Sequence, residues 1–98
     1  MITVSFLGDN IGFEIDGHSG YAENGYDIVC ASVSSAAYMI ANTLTDVFGY
    51  NADIEVNDGY MQFKLKDADE TGKKIIEGFA LHVGQLSEQY PDFVIKLN

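Results

Sequence analysis

Residues 11–48 read IGFEIDGHSGYAENGYDIVCASVSSAAYMIANTLTDVF, and the change of period inside them decides the fold. Phe13 and Ile15 alternate with Glu14 and Asp16, the two-residue repeat of a strand with one buried face. Asp16-Gly17 ends that strand. His18-Ser19-Gly20-Tyr21-Ala22-Glu23-Asn24-Gly25-Tyr26 has no period at all. It is a loop, longer than a usual connection, and its glycines suit it to movement. From Ile28 to Phe48 the period is helical: Val33, Ala36, Ala37, Ile40, Leu44, Val47 and Phe48 follow the three-or-four spacing of a buried stripe. Asp27 is a good N-cap for this helix and Gly49 a good C-cap.

The same reading extends outward. Ile2, Val4 and Phe6 alternate with Thr3 and Ser5 in a first strand over 2–7, joined to the strand at 11–16 by the hairpin turn Gly8-Asp9-Asn10. Strands at about 52–57 and 60–66 flank a second turn, Asn57-Asp58-Gly59, with Ile54 and Val56 facing Met61, Phe63 and Leu65. A second helix spans roughly 68–89, opened by a capping box of Asp67 and Glu70 and stopped before Pro91. Its buried stripe is Ile75, Phe79, His82 or Val83, and Leu86. Phe93, Ile95 and Leu97 alternate in a last strand. The order β-β-α-β-β-α-β makes residues 1–98 a single α+β domain, two helices packed on a mainly antiparallel sheet. An uncovered sheet edge or face is a place for a dimer contact.

Composition limits what such a domain can do. The chain has 98 residues, 47% hydrophobic, with 15 acidic and 5 basic side chains and a formal charge of −10. Direct nucleic-acid binding is disfavoured, because it depends on Lys and Arg neutralising phosphates. An anionic membrane surface is disfavoured for the same reason, and no apolar run approaches the roughly 20 residues that cross a bilayer. A basic partner is favoured by the long-range field, although acidity also simply keeps a protein soluble. Met1-Ile2-Thr3-Val4-Ser5-Phe6 lacks the basic start and apolar run of a signal peptide, and one cysteine allows no intramolecular disulfide. Both point to a reducing cytoplasm.

Chemistry concentrates around that cysteine. With Asp27 as cap, Cys30 is the third helical residue, where free N–H groups and the positive end of the helix dipole favour a thiolate. The same N–H groups suit an oxyanion formed by attack on a carbonyl. His18, twelve residues upstream at the strand-to-loop junction, is placed to fold back as base and proton donor. Gly17 permits a sharp exit from the strand, and Gly20 and Gly25 let the loop open and close over a substrate. The bland alternative is that a lone Cys is a small buried hydrophobe and a His at a strand end an incidental surface residue.

Gly17-His18-Ser19, a seven-residue gap, and then Asp27-Ile28-Val29-Cys30-Ala31 with Val33-Ser34 resemble the ribosomal-processing cysteine proteases, the Prp family. There a Gly-His-Ala motif precedes Asp-(Ile/Leu)-Val-Cys-Ala and a nearby Ser. The resemblance implies that Cys30 is the nucleophile and His18 the general base, with Asp27, Ala31 and Ser34 around them. Asp27 is a helix cap that could also orient His18. Ser34 could hydrogen-bond near the site or simply line it. Ser19 stands where Ala is commoner in the family. The resemblance further implies removal of a short N-terminal extension from a large-subunit ribosomal protein of the L27 type, a homodimer, no metal or organic cofactor, and a substrate-ordered loop between His18 and Cys30. Tyr21 and Tyr26 flank that loop and could touch an extended peptide or anchor the loop to the core.

Two other functions compete. A non-enzymatic acidic module binding basic ribosomal proteins explains the charge but not the His-to-Cys spacing. A redox-sensing thiol wants a resolving cysteine, and the chain has none. His82 is expected to pack. With His18 and Cys30 it makes too small and too scattered a set for a closed zinc site, which takes four ligands.

Overall fold

The computed structural model of the protein describes residues 1–17 and 26–98, with the backbone alone at Tyr26 and Asp27. The elements follow the expected order: β1 (Ile2–Leu7), β2 (Gly12–Asp16), α1 (Tyr26–Asn42), β3 (Ala52–Asn57), β4 (Tyr60–Leu65), α2 (Glu70–Gln89) and β5 (Val94–Leu97). The five strands form one sheet in the order β3-β4-β2-β1-β5. β1–β2, β2–β4 and β3–β4 pair antiparallel, and β1–β5 pairs parallel. This is the α+β architecture read from the sequence.

Register explains why the core has one face. Val4 sits opposite Ile15 and Phe6 opposite Phe13. Phe13 in turn sits opposite Phe63, and Ile15 opposite Met61. Residues opposite each other in a pleated sheet share a side, so these apolar positions form one wall. Val29, Val33, Ala37, Ala41 and Leu44 of the first helical segment and Ile76, Phe79, Val83 and Leu86 of α2 close over it in a single buried cluster. At its centre Phe79 meets Phe13 edge-on at 4.7 Å, and Phe13 stacks on Phe63 at 5.5 Å. Both helices lie on this one face. The other face carries Thr3, Ser5, Glu14, Asp16, Tyr60 and Gln62.

Several expectations need correction. α1 starts at Tyr26, so Asp27 is its second residue rather than the residue before it, and Cys30 is the fifth. Helix ends are the least sequence-determined part of a helix. α1 runs on into a π-helical turn, Thr43–Val47, in which the Phe48 N–H donates to the Thr43 carbonyl. The Thr43 and Thr45 hydroxyls donate back to the Met39 and Ala41 carbonyls. The wider turn rotates the stripe past Leu44, so Val47 and Phe48 face solvent instead of the core. Gly49, at φ +78, ends the segment as expected.

Elsewhere the cap of α2 is Asp69, not Asp67: its carboxylate accepts from the Gly72 N–H at 2.9 Å and from the Tyr50 hydroxyl at 2.6 Å. His82 is exposed and Ile75 only half-buried, with Ile76 and Val83 taking the core positions. Ile54 and Val56 do stand opposite Phe63 and Met61, but β3 is an edge strand beyond the reach of the helices, so both stay about half exposed (51% and 50%). In β5 the core residue is Val94, opposite Ile2. Ile95 and Leu97 stand opposite Thr3 and Ser5 on the open face. Ile28–Val47, contrary to expectation, is long and apolar enough by composition to cross a bilayer. Its buried residues pack on the sheet, as a core helix does.

Candidate active site

Gly17 is where strand gives way to site. Its φ of +91 is open to glycine at little cost, and a Cβ there would run into the Met1 carbonyl. Its N–H donates to the Gly59 carbonyl at 3.0 Å. The end of β2 is thereby pinned against the β3–β4 turn. His18, Ser19, Gly20, Tyr21 and Gly25 lie outside the described residues, as do the side chains of Asp27 and Tyr26. The Cys30–His18 pairing and the orienting role considered for Asp27 therefore fall outside them too.

Cys30 is a free thiol in the second turn of α1. It is 6% exposed and belongs to the core cluster, while Ala31 beside it faces solvent. Packing fixes the position of the sulfur: Val29 and Val33 on the same helix are fully buried and leave α1 no freedom to roll. Ser34 follows Cys30 by one turn on the same face. Its hydroxyl oxygen is buried and has no hydrogen-bond partner among the described residues. Ser32 contrasts with it, donating back to the Ile28 carbonyl at 2.9 Å.

Beyond Ser34 the structure opens a cavity of about 200 Å³ between α1 and the β3–β4 hairpin, lined by Ile15, Ser34, Tyr38, Val56, Tyr60, Met61 and the turn at 57–59. Sequence reasoning found Ser34 and missed the rest. Tyr38 was the one legible member, since Cys30, Ser34 and Tyr38 recur every four residues on one helix face. The Tyr60 hydroxyl donates to the Glu14 carboxylate at 2.8 Å. That hydrogen bond, then desolvation and the negative charges of Glu14, Glu55 and Asp16, push the phenol up to about 12. No group of three or more His, Cys, Asp or Glu side chains suited to a metal occurs among the described residues.

This arrangement has known counterparts. The family model for cysteine protease Prp matches residues 1–95. The ribosomal processing cysteine protease Prp of Bacillus subtilis is 28% identical over 89 residues, covering 84% of this chain and 80% of that one. Its Staphylococcus aureus namesake is 27% identical over 100 residues, covering 99% and 93%. Among solved structures, the protein SMU.848 of Streptococcus mutans superposes with a TM-score of 0.88 at 32% identity, covering 99% of this chain and 92% of that one. The S. aureus Prp protease in complex with a substrate peptide superposes at 0.87 and 23% identity, covering 98% and 97%. At that identity the superposition speaks for the shared fold. A family match over nearly the whole chain, with the lone cysteine on the first helix behind a Gly-His pair, places this protein in the Prp family of cysteine proteases.

Proposed function

We propose that this enzyme is the endopeptidase that trims the N-terminal extension of a large-subunit ribosomal protein of the L27 type, using Cys30 as nucleophile and His18 as base. The observation that carries the reading is the match to the Prp family across residues 1–95, with Cys30 fixed near the start of α1. Curated relatives in that family are named for ribosomal processing. The chain's charge of −10 suits a basic precursor.

In this reading His18 takes the Cys30 proton, and the sulfur attacks the scissile carbonyl. An S–C bond forms, and the carbonyl becomes an oxyanion near the N-terminal N–H groups of α1. As the C–N bond breaks, His18 returns the proton to the departing amine, which leaves as the mature N-terminus. Water then hydrolyses the thioester with His18 again as base. Asp27 and Ser34 support the pair, one at the helix start and one a turn beyond the sulfur.

The test is incubation of the wild type, Cys30→Ala and His18→Ala with the precursor from the same bacterium, read by mass spectrometry. One cut near the precursor's N-terminus, lost in both variants, is expected. An intact precursor with active-thiol wild type, or full cleavage by either variant, overturns the assignment.

The enzyme is further proposed to act as a homodimer in the cytoplasm. The unpaired outer edge of β3, with half-exposed Ile54 and Val56, supports the first part, because open apolar edges seek a partner. A single free cysteine supports the second. Sedimentation should give a dimer that Ile54→Glu weakens, and cell fractionation should leave the protein in the soluble fraction. A monomer at micromolar concentration, or a membrane-bound pool, counts against them.

A further inference from the structure

Both helices close over one face of the sheet, and neither covers the other face. Register maps that second face row by row. The row nearest Gly17 crosses the sheet as Ile95, Thr3, Asp16, Tyr60 and Asn57. The next row is Leu97, Ser5, Glu14, Gln62 and Glu55. Five strands about 4.8 Å apart make each row roughly 19 Å wide. The rows are sorted by chemistry. The β5 end is apolar, with Ile95 38% and Leu97 47% exposed, and the end toward β3 is acidic. Neither row holds a lysine. Lys64 stands one row further from Gly17, opposite Asp53, and Lys66 pairs with Asp53 at 3.5 Å. The charges of Asp16, Glu14 and Glu55 are therefore uncompensated within the two rows.

We infer that this face is a docking surface for the basic body of the precursor, the part outside the stretch that enters the active site. The inference rests on the protease reading and names where the bulk of that substrate is held. Charge comes first. A ribosomal protein neutralises RNA phosphates with Lys and Arg, and those side chains are complementary to Asp16, Glu14 and Glu55. The Tyr60 phenol, raised to about 12 by its hydrogen bond to Glu14, then by desolvation and by the charges of Glu14, Glu55 and Asp16, reports that all three act on one spot. The apolar strip comes second. Acidity that served only solubility would not need Ile95 and Leu97 exposed on the same face. A segment apolar along one flank and basic along the other covers both ends, and a helix about 10 Å across fits inside the row width. Position comes third. Asp16 ends β2 two residues before His18, so a chain docked here reaches the site around the end of one strand. A second copy is the poorer occupant, because two such faces brought together oppose carboxylates to carboxylates.

The test compares the whole precursor with a short peptide spanning only its cleavage site. At low salt the wild-type kcat/KM should be about 10-fold higher for the precursor, within the range of electrostatic steering, and the gap should close near roughly 0.5 M salt as the charges are screened. Glu14→Gln combined with Glu55→Gln should lower kcat/KM for the precursor about 10-fold, through KM, and flatten its salt dependence, with the peptide cut as before. Leu97→Ser should weaken the precursor alone and leave its salt dependence in place. Thermal melts check that the variants are folded. Equal rates for the two substrates in the wild type, or variants that change both substrates alike or neither, overturn the docking surface and leave the protease reading intact. Loss of a dimer in sedimentation of the Leu97→Ser variant, with precursor kinetics unchanged, assigns the face to a second copy and overturns it too. Failure of the wild type to cut either substrate, although Cys30 alkylates normally, overturns the protease reading itself and the docking surface with it.

Discussion

Replacing Cys30 separates the chemical role proposed for its sulfur from its packing role. The side chain is 6% exposed within the core cluster, so Cys30→Ala removes one buried atom of about methylene size. Its transfer term is about 0.8 kcal/mol. A residual cavity of roughly 20 Å³ at ~24 cal/mol per Å³ adds about 0.5 kcal/mol. The sum, ~1.3 kcal/mol, corresponds to a fall in Tm of about 5–10 °C for a domain of this size. Cys30→Ser loses the same volume but also buries a hydroxyl, costing about 1–3 kcal/mol if it stays unpaired. Back-bonding to the Tyr26 carbonyl, as Ser32 bonds to Ile28, recovers part of that. Thermal and urea melts of the wild type and both variants give the numbers, with peptide cleavage measured on the same samples. Folded Cys30→Ala with no cleavage is the expected result. A loss above ~3 kcal/mol would mean that the cysteine is chiefly a packing residue, and would refute the separation of roles.

Four further outcomes follow from the geometry. A Cβ at Gly12 would collide with the Phe63 carbonyl and the Lys64 Cα, both backbone, so Gly12→Ala should cost about 3 kcal/mol or more by forcing β2 from β4; soluble yield and Tm report it. Gly78, exposed inside α2 with open space where a methyl group would sit, should instead gain about 0.5–1 kcal/mol on change to Ala, a rise in Tm of several degrees. The Tyr50 hydroxyl, and then the Gly72 N–H, hold the Asp69 carboxyl below its ordinary value of 3.8; the stability it provides is present above that value and lost as pH falls through it and below. The Tm gap between wild type and Asp69→Ala should therefore close below about pH 4, and a gap unchanged down to pH 2 contradicts the pairing. Tyr60 is raised from 10.0 to about 12, so its contribution persists below pH 10 and is lost as pH rises through 12; a difference titration at 295 nm against Tyr60→Phe should show one phenol ionising near 12, and a midpoint near 10 refutes the Glu14 contact.

Elements whose pattern is local were legible in the sequence. β1, β2 and the core face of α1 follow from alternation and helical spacing that no distant contact overrides. What the sequence hid was set by neighbours. Val47 and Phe48 continue the apolar stripe on paper, but a π-helical turn inserts before them and turns them outward. Ile54 and Val56 have the right register and the wrong depth, because depth depends on whether a helix reaches the edge strand. Asp69 outcompetes Asp67 as cap because Tyr50, nineteen residues away, holds its carboxylate. The same division runs through the site. Cys30 is readable from its motif, whereas the cavity beside it needs Ile15, Val56 and Met61, which only sheet pairing brings together.

That division also fixes how the parts of the site are coupled. Cys30 belongs to α1, which the core clamps through Val29, Val33, Ala37 and Leu44. The cavity's far wall belongs to the β3–β4 hairpin, and the Gly59 carbonyl of that hairpin takes the N–H of Gly17, the residue before His18. One backbone hydrogen bond thus joins the cavity wall to the strand end that precedes His18, the proposed base. A change that loosens the 57–59 turn moves wall and strand end together while α1 stays in place. Its signature should be a loss of kcat, with Cys30 alkylation by iodoacetamide little altered. If turn substitutions leave kcat unchanged, the hairpin does not position His18, and the Gly17–Gly59 bond has no part in the proposed reaction.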